Sequence, residues 1–153
     1  MNLKKILFYI FVLLPLASIN AQVKKPIAKF KQPKITVYLG GLKDSSFIAP
    51  AQFEEIIRLP LKFVDEKKDE KSISSYNILY KKKVVSEDEE TGKVYNTTTI
   101  KNALLRATPL PILWVNALTE NPKPGEEIWF YDIIVKDKQG RLMYAPNYKL
   151  YIK

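Results

Sequence analysis

Short runs in which apolar and polar residues alternate constrain the fold of this chain more than any other feature of its sequence. Residues 35–39 alternate in this way and are followed by the pair Gly40 and Gly41. Residues 57–63 repeat the pattern, with apolar side chains at every second position. Because successive side chains of a strand point to opposite faces of a sheet, a two-residue period predicts half-buried strands. Pro60 cannot donate a ladder hydrogen bond, so the second strand is predicted to lie at an edge or on a bulge.

The middle of the chain predicts one long β-hairpin. The charged turn "DEKKDEKS" precedes a run in which Tyr76, Ile78 and Tyr80 share one face. The segment "SEDEETGK" is predicted to reverse the chain, because Gly92 supplies a permissive backbone. The segment "VYNTTT" is then predicted to return beside the first strand.

Residues 128–153 are predicted to form a central strand followed by a hairpin. Residues 128–135 are apolar on both faces apart from Asp132, as in a strand that is buried on both sides. After a turn at 137–140, the even-numbered residues are predicted to face the core; they are Leu142, Tyr144, Pro146, Tyr148, Leu150 and Ile152. The odd-numbered residues of this stretch are mainly cationic and polar. A stacking platform would mix aromatic and cationic side chains on one exposed face, so this separation favours core packing over a platform.

One helix is predicted over residues 99–108, where Thr99 is a plausible N-cap and Pro109 ends the element. The apolar positions with helical spacing are Ile100, Ala103, Leu104 and Ala107. The segment "PILWVNAL" is apolar on both faces and is interpreted as an internal strand, with a short buried helix as the alternative.

These patterns together predict an all-β domain with one short helix, namely an antiparallel, immunoglobulin-like β-sandwich of about seven strands. Three segments are predicted: a signal peptide at 1–21, an extended basic arm at 22–33, and a single β-sandwich domain at 34–153. The arm shows neither a two-residue nor a 3.6-residue apolar period, and its prolines favour extended backbone.

The composition argues against several classes of enzyme. The chain contains no histidine and no cysteine, which zinc sites and Ser-His or Cys-His nucleophile pairs require. The acids at 87–90 lack the spacing of a calcium loop and are interpreted as a soluble hairpin tip. A lone acid such as Asp132 is more often hydrogen-bonded to neighbouring backbone than catalytic. No catalytic residue, metal ligand or cofactor is therefore predicted, and the protein is not expected to be an enzyme.

The N-terminal residues are typical of a secretory leader. Lys4 and Lys5 precede the apolar run 6–16, and Ala21 offers a small residue before a cleavage point. The run is shorter than the about 20 residues that a membrane-spanning helix needs, although a retained anchor remains the alternative. The protein is therefore expected to be exported to the periplasm, either soluble or peripheral to the envelope.

The formal net charge is +9, and the leader would carry away two of these positive charges. After export, an anionic envelope surface is a more plausible partner than nucleic acid. The alternative is that lysines keep a β-rich surface soluble and protect its edges. The best candidate binding element is the basic arm with its flanking residue, which holds Lys24, Lys25, Lys29, Lys31 and Lys34. Such an arm could add a strand to a partner's sheet or be only a mobile tether, and both interpretations stay open.

Two segments resemble a known family. They are "PKITVYLGGLKDSSFIAPAQFEEI" and "GEEIWFYDIIVKDKQGRLMYAPNYKLYI". Their order, the Gly40-Gly41 turn and the run at 125–135 make residues 33–153 similar to the C-terminal immunoglobulin-like domain of the GldM/PorM family of gliding motility and type IX secretion. The resemblance implies a periplasmic β-sandwich that works through protein contacts, often as a homodimer. Family members also have a transmembrane helix, a long stalk and several domains, so an accessory or adaptor role is expected here.

The residues and the resemblance support two hypotheses of function. The first is a non-catalytic, periplasmic protein-binding module whose partner is an envelope protein of a secretion or motility complex. The second is an envelope protein that binds a polyanion or glycan, such as cell wall or lipopolysaccharide. Affinity that collapses with salt would favour the second hypothesis, because salt screens exposed charges.

Overall fold

The computed structural model describes residues 30–43 and 46–153. The predicted leader and most of the basic arm therefore lie outside the described residues. The chain divides into two compact units, Met1–Lys31 and Gln32–Lys153. Only Phe30 and Lys31 of the first unit are described, and both are exposed. The strands and helices belong to the second unit.

The described residues of the second unit form nine strands and two helices. The strands are β1 (Ile35–Leu39), β2 (Leu42–Lys43), β3 (Ser46–Ile48), β4 (Leu61–Asp65), β5 (Glu70–Glu87), β6 (Val94–Leu105), β7 (Glu127–Lys136), β8 (Leu142–Ala145) and β9 (Tyr148–Ile152). The helices are α1 (Pro50–Ile56), between β3 and β4, and α2 (Ile112–Thr119), between β6 and β7. Neither helix is long and apolar enough to cross a membrane.

The strands belong to one mixed sheet in the order β2-β1-β4-β5-β7-β9-β3, with β6 added to β5 and β8 added to β7. The β3–β9 pair is parallel and the other pairs are antiparallel. With 52% strand and 12% helix, the prediction of a mainly β domain is confirmed. The sheet curls until it is nearly barrel-shaped, so the immunoglobulin-like sandwich is not confirmed.

Two side chains tie the first strands to the last ones. The Gln32 amide donates to the carbonyl of Tyr144 at 2.7 Å, and its oxygen accepts from the Tyr144 N–H at 3.3 Å. The Tyr148 hydroxyl lies 3.4 Å from the carbonyl of Leu42, to which it donates. The Gln32 side chain thus takes the place of a strand partner for β8 and satisfies backbone groups that would otherwise be left at an open edge.

Bulges in the two central strands bend the sheet. The β5–β7 ladder shifts register between Ile73 and Ser75 and again between Ser75 and Asn77. On β7 the extra residue falls at Asp132, which has a φ of 49°. An extra residue reverses which parity faces the core. The buried side chains of β7 accordingly change from Ile128 and Phe130 to Ile133 and Val135.

This reversal overturns part of the inner row predicted for residues 142–152. Tyr148, Leu150 and Ile152 are buried as predicted, but Leu142 and Tyr144 are 62% and 69% exposed, and Pro146 is exposed as well. Met143 and Ala145 face the core in their place. The reason is that β8 pairs with the half of β7 beyond Asp132, whereas β9 pairs with the half before it.

The predicted strand at 57–63 begins later than expected. Residues 50–56 form α1, which the sequence pattern did not predict, and β4 starts only at Leu61. Ile57 is fully buried while Leu59 is 45% exposed, so the two do not share a face. Pro60 precedes the strand, and β4 pairs with both β1 and β5. The prediction that Pro60 puts this strand at an edge or on a bulge was therefore wrong, and the β1–β4 ladder runs without a register shift.

Two further segments have the opposite secondary structure to the one that the sequence predicted: one predicted helix is a strand, and one predicted strand is a helix. Residues 99–108, predicted as a helix, belong largely to β6, because their backbone groups pair with β5 along a continuous ladder. Their helical spacing of apolar residues creates no buried face, since Ile100 and Leu104 are exposed. The segment interpreted as an internal strand is α2, which buries Val115 and Leu118 at helical spacing. The short-helix alternative for this segment was right.

Several predictions are confirmed. Residues 35–39 form a strand with a turn at Gly40, where an added Cβ would lie 2.8 Å from the Ile56 side chain. The long β5–β6 hairpin reverses at 88–93 as expected. Tyr76, Ile78 and Tyr80 are fully buried, and β7 is a central strand.

The parity reversal can be tested by making the same substitution at two positions of the predicted inner row. Leu150→Ala opens a cavity in the core and is expected to lower the free energy of unfolding by about 2–5 kcal/mol. Leu142→Ala removes an exposed side chain and is expected to change it by less than about 0.5 kcal/mol. Urea unfolding followed by circular dichroism measures both. Equal losses of the free energy of unfolding would show that β8 and β9 both bury their even-numbered residues, which would contradict the reversal.

Candidate functional site: the aromatic–lysine face

The basic arm predicted as a binding element is only partly described. Lys24, Lys25 and Lys29 lie outside the described residues. Lys31 and Lys34 are exposed. Nothing in the described residues brings the five lysines together, so the predicted site on the arm stays a prediction.

The outer face of strands β6, β5, β7, β9 and β3 carries a different cluster, which we call the aromatic–lysine face. Its members are Phe47, Lys81, Trp129, Lys149, Tyr151 and Lys153. Trp129 lies opposite Lys149, and Tyr151 lies opposite Phe47. Because Ile128, Leu150 and Ile152 are buried between them, these residues point outward by simple alternation.

Trp129 is held between two lysines. The Lys149 Nζ lies 3.6 Å from the centroid of the indole ring, and the Lys81 Nζ lies 4.5 Å from it. One Glu127 oxygen accepts from the indole N–H at 2.8 Å and from Lys81 at 3.2 Å. Cation–π contacts at exposed sites are worth about 0.5–1 kcal/mol each, so the indole is oriented before any ligand arrives.

Phe47 and Tyr151 form the second half of the face. Their ring centroids lie 5.0 Å apart with an interplanar angle of 25°. Lys153 places its Nζ 5.3 Å from the Phe47 ring centroid. Phe47 nevertheless remains 66% exposed. A large aromatic side chain that is fixed by stacking but open to solvent is well suited to contact another surface.

Aliphatic side chains extend the face toward β6. Ile100 lies opposite Lys81, and Leu104 lies opposite Asn77. Both are more than half exposed. Leu79, next to Trp129 in the ladder, is half-buried. The face is therefore a nearly continuous apolar band with lysines set into it, and neighbouring exposed apolar residues of this kind mark interaction surfaces.

The sequence pattern did not predict this face, because the prediction considered only the aromatic residues of the last strand that point inward. Lysines were predicted on the outside of that strand and aromatics on the inside. Tyr151 and Trp129, however, share the outward parity with Lys149. The alternation of Lys149, Tyr151 and Lys153 with buried residues already places an aromatic ring among lysines on the outer face. The pairing of β9 with β7 was needed to show that Trp129 lies beside them.

The carboxylates predicted to be structural have structural partners. Asp88 accepts hydrogen bonds from the Tyr95 hydroxyl and from the N–H groups of Glu90 and Thr91 in the hairpin turn. The Tyr95 bond, with those from Thr91, lowers the pKa of Asp88 to about 2. Asp132 is exposed and accepts from the Asn77 side chain at 3.3 Å rather than from backbone. Within residues 30–43 and 46–153, no three acidic side chains form a group that could hold a metal ion.

A buried carboxylate, Glu126, supports one end of the face. It is fully buried and accepts from the Tyr80 hydroxyl at 2.6 Å and from the N–H groups of Lys83 and Lys123 at 3.0 and 3.2 Å. These bonds fasten the loop before β7 to β5, and they give both buried oxygens the hydrogen-bond partners that a buried polar group needs. Glu126 therefore has a structural explanation and offers no oxygen to a substrate.

One open groove of ≈ 480 Å³ lies away from this face, between the β1–β2 turn and the loop before β4. Its side-chain walls include Tyr38, Leu59, Pro60 and Lys62. No carboxylate is among the described residues that line it.

No protein-family model matches this sequence, and no curated protein matches it. The resemblance to the GldM/PorM family accordingly stays a prediction.

Two buried tyrosines should make the domain sensitive to alkali. Burial raises the pKa of Tyr76 from 10.0 to about 12, and burial together with the Glu126 hydrogen bond raises the pKa of Tyr80. Because both folded-state pKa values exceed the unfolded value, the neutral phenols contribute stability that is complete below pH 10. That contribution is lost as the pH rises toward 12.

The expected result is a steep loss of the free energy of unfolding above pH 10 in the wild type and a shallower loss in Tyr76→Phe. Urea unfolding at a series of alkaline pH values measures both slopes. Identical slopes would contradict the assignment of the effect to the Tyr76 phenol.

Proposed function

We propose that this domain is a non-catalytic protein-binding module that uses the aromatic–lysine face to bind an envelope protein. The observation that supports this proposal is Phe47, a ring stacked on Tyr151 and beneath Lys153 that is still 66% exposed. Aromatic residues of this kind are enriched among the side chains that contribute most to protein–protein binding.

The shape and composition of the face favour a protein over a small molecule. It is the open surface of a sheet, with Ile100 and Leu104 adding aliphatic area beside the rings. Small-molecule sites are concave and bury most of their ligand. An open apolar band fits the apolar patch of another protein instead.

The charges on the face favour an acidic partner surface. Lys81, Lys149 and Lys153 project among the rings, and Glu127 is already engaged with Lys81 and Trp129. Complementary charge around an apolar centre speeds encounter and selects the partner. If residues 1–21 direct export, the partner belongs to the cell envelope. The family resemblance makes an accessory or adaptor of the gliding or type IX secretion machinery the leading assignment.

A second function is favoured by one specific feature. Trp129 lies between Lys81 and Lys149 on one exposed sheet face, and such mixing of rings and cations also suits an anionic glycan or another envelope polyanion. The aliphatic residues at the β6 side of the face do not contribute to recognition of sugars or phosphates, so this function ranks second.

Partner capture with a matched pair of variants tests the first function. The wild type, Phe47→Ala and Tyr144→Ala are each cross-linked in native cells and recovered by affinity. Phe47→Ala is expected to weaken capture of a specific envelope protein about tenfold or more. Tyr144→Ala, an equally exposed aromatic outside the face, should leave capture unchanged.

Salt separates the two functions. Binding to an envelope protein through the apolar face should survive high salt, whereas pelleting with cell wall or anionic vesicles should collapse. Recovery of no specific envelope protein, together with salt-sensitive pelleting that Phe47→Ala reduces, would replace the first function by the second. Wild-type behaviour of Phe47→Ala in both assays would overturn the assignment of the face.

A further inference from the structure

Strand β6 presents a long sheet edge without the usual protection. Among the described residues β6 pairs only with β5, and no described strand lies along the other side of this 12-residue strand. Exposed edges are normally protected by charges, prolines or bulges. β6 contains one charged residue, Lys101, and no proline. Its ladder with β5 also runs without a register shift.

The outer half of the β5–β6 hairpin extends past the rest of the sheet. The β5–β7 ladder ends at the pair of Lys81 with Glu127. Beyond that point the described strand partner of β5 is β6, and residues 94–102 are exposed throughout. A two-stranded ribbon is at best marginally stable in water. A third strand beside β6 would therefore stabilise it.

The hydrogen-bonding pattern shows which residues face the free edge. The Asp88 N–H donates to the Lys93 carbonyl at 2.9 Å, which makes these two a hydrogen-bonded pair. Such pairs alternate along an antiparallel ladder, so the odd-numbered residues of β6 bond to β5. The backbone N–H and C=O groups that point outward belong to Val94, Asn96, Thr98, Ile100, Asn102 and Leu104.

We propose that β6 pairs in antiparallel register with β6 of a second copy of this chain, with Thr99 on the two-fold axis. In this register the outward groups of both copies meet along the whole strand. The side-chain pairs are then complementary, because Val94 lies opposite Leu104, Asn96 opposite Asn102, and Thr98 opposite Ile100. Cross-strand pairs of this kind stabilise a sheet, and a two-fold axis is the commonest symmetry of soluble dimers.

The charges of the hairpin select the antiparallel arrangement. Residues 87–90 at the tip are all acidic, and Arg106 lies exposed just beyond the other end of β6. The proposed register brings the acidic tip of each copy beside Arg106 of the other. A parallel arrangement would place the two acidic tips together, which like-charge repulsion disfavours.

This pairing joins the two sheets into one. The two-fold axis of this pairing is perpendicular to the plane of the sheet, so it leaves the same face of both copies on the same side. The two aromatic–lysine faces would therefore form one continuous surface. A partner with two binding sites would then gain avidity. The self-pairing does not depend on the function proposed for the face, because the oligomeric state is measured without any ligand.

A proline at the free edge tests the pairing. The Thr98 N–H points away from β5, so Thr98→Pro removes an outward donor and leaves the β5–β6 ladder intact. Sedimentation of the purified protein is expected to show a dimer for the wild type and at least a tenfold weaker dimer for Thr98→Pro. Circular dichroism confirms that the variant is folded. A monomeric wild type, or a Thr98→Pro dimer of unchanged affinity, would overturn the proposal.

The register is tested by single cysteines, for which the chain is suited because it contains none of its own. Thr99 would face its own copy across the axis in a non-hydrogen-bonded pair, whose Cα atoms lie about 4.5 Å apart. Thr99→Cys is therefore expected to form a disulfide-linked dimer under mild oxidation. Thr97→Cys, on the same strand face and equally exposed, would lie about 13 Å from its counterpart along the strand and should not cross-link. Equal cross-linking of both variants, or of neither, would overturn the register.

Discussion

The extra residue at Asp132 is the constraint on which the rest of this structure depends. It reverses the inward parity of β7 in mid-strand, and a matching irregularity near Ser75 does the same on β5. The two central strands therefore bend together, and the sheet can curl around one core. The same reversal decides which side chains of β8 and β9 are buried, because those strands pair with opposite halves of β7.

The outward-facing side chains before the bulge form the aromatic–lysine face. Trp129 and Phe47 gain fixed orientations from neighbouring lysines and from Tyr151, so little freedom remains to be lost when a ligand binds. The buried carboxylate of Glu126 secures the loop next to this face through three hydrogen bonds. Both features describe a surface whose side chains are held in place before contact, and the proposed protein-binding function rests on them.

The free edge of β6 and the aromatic–lysine face meet on the same strand, since Ile100 and Leu104 point outward from that face. One strand thus contributes backbone groups to a proposed self-association and side chains to a proposed partner surface. The combination is physically consistent, because backbone pairing occurs in the plane of the sheet and partner binding occurs perpendicular to it.

The sequence by itself determined the mainly β character of the domain, the long hairpin, the turns at Gly40 and at 137–140, and the buried positions of Tyr76, Ile78 and Tyr80. Two-residue alternation and turn chemistry are local properties, so they can be recognised without the fold. Only the tertiary structure decided the reversal at Asp132, the exposure of Leu142 and Tyr144, the strand conformation of residues 99–105 and the assembly of Phe47, Trp129 and Lys149. These depend on which strands become neighbours and in what register, and backbone pairing across the sheet outweighs the weak local preference of any single segment.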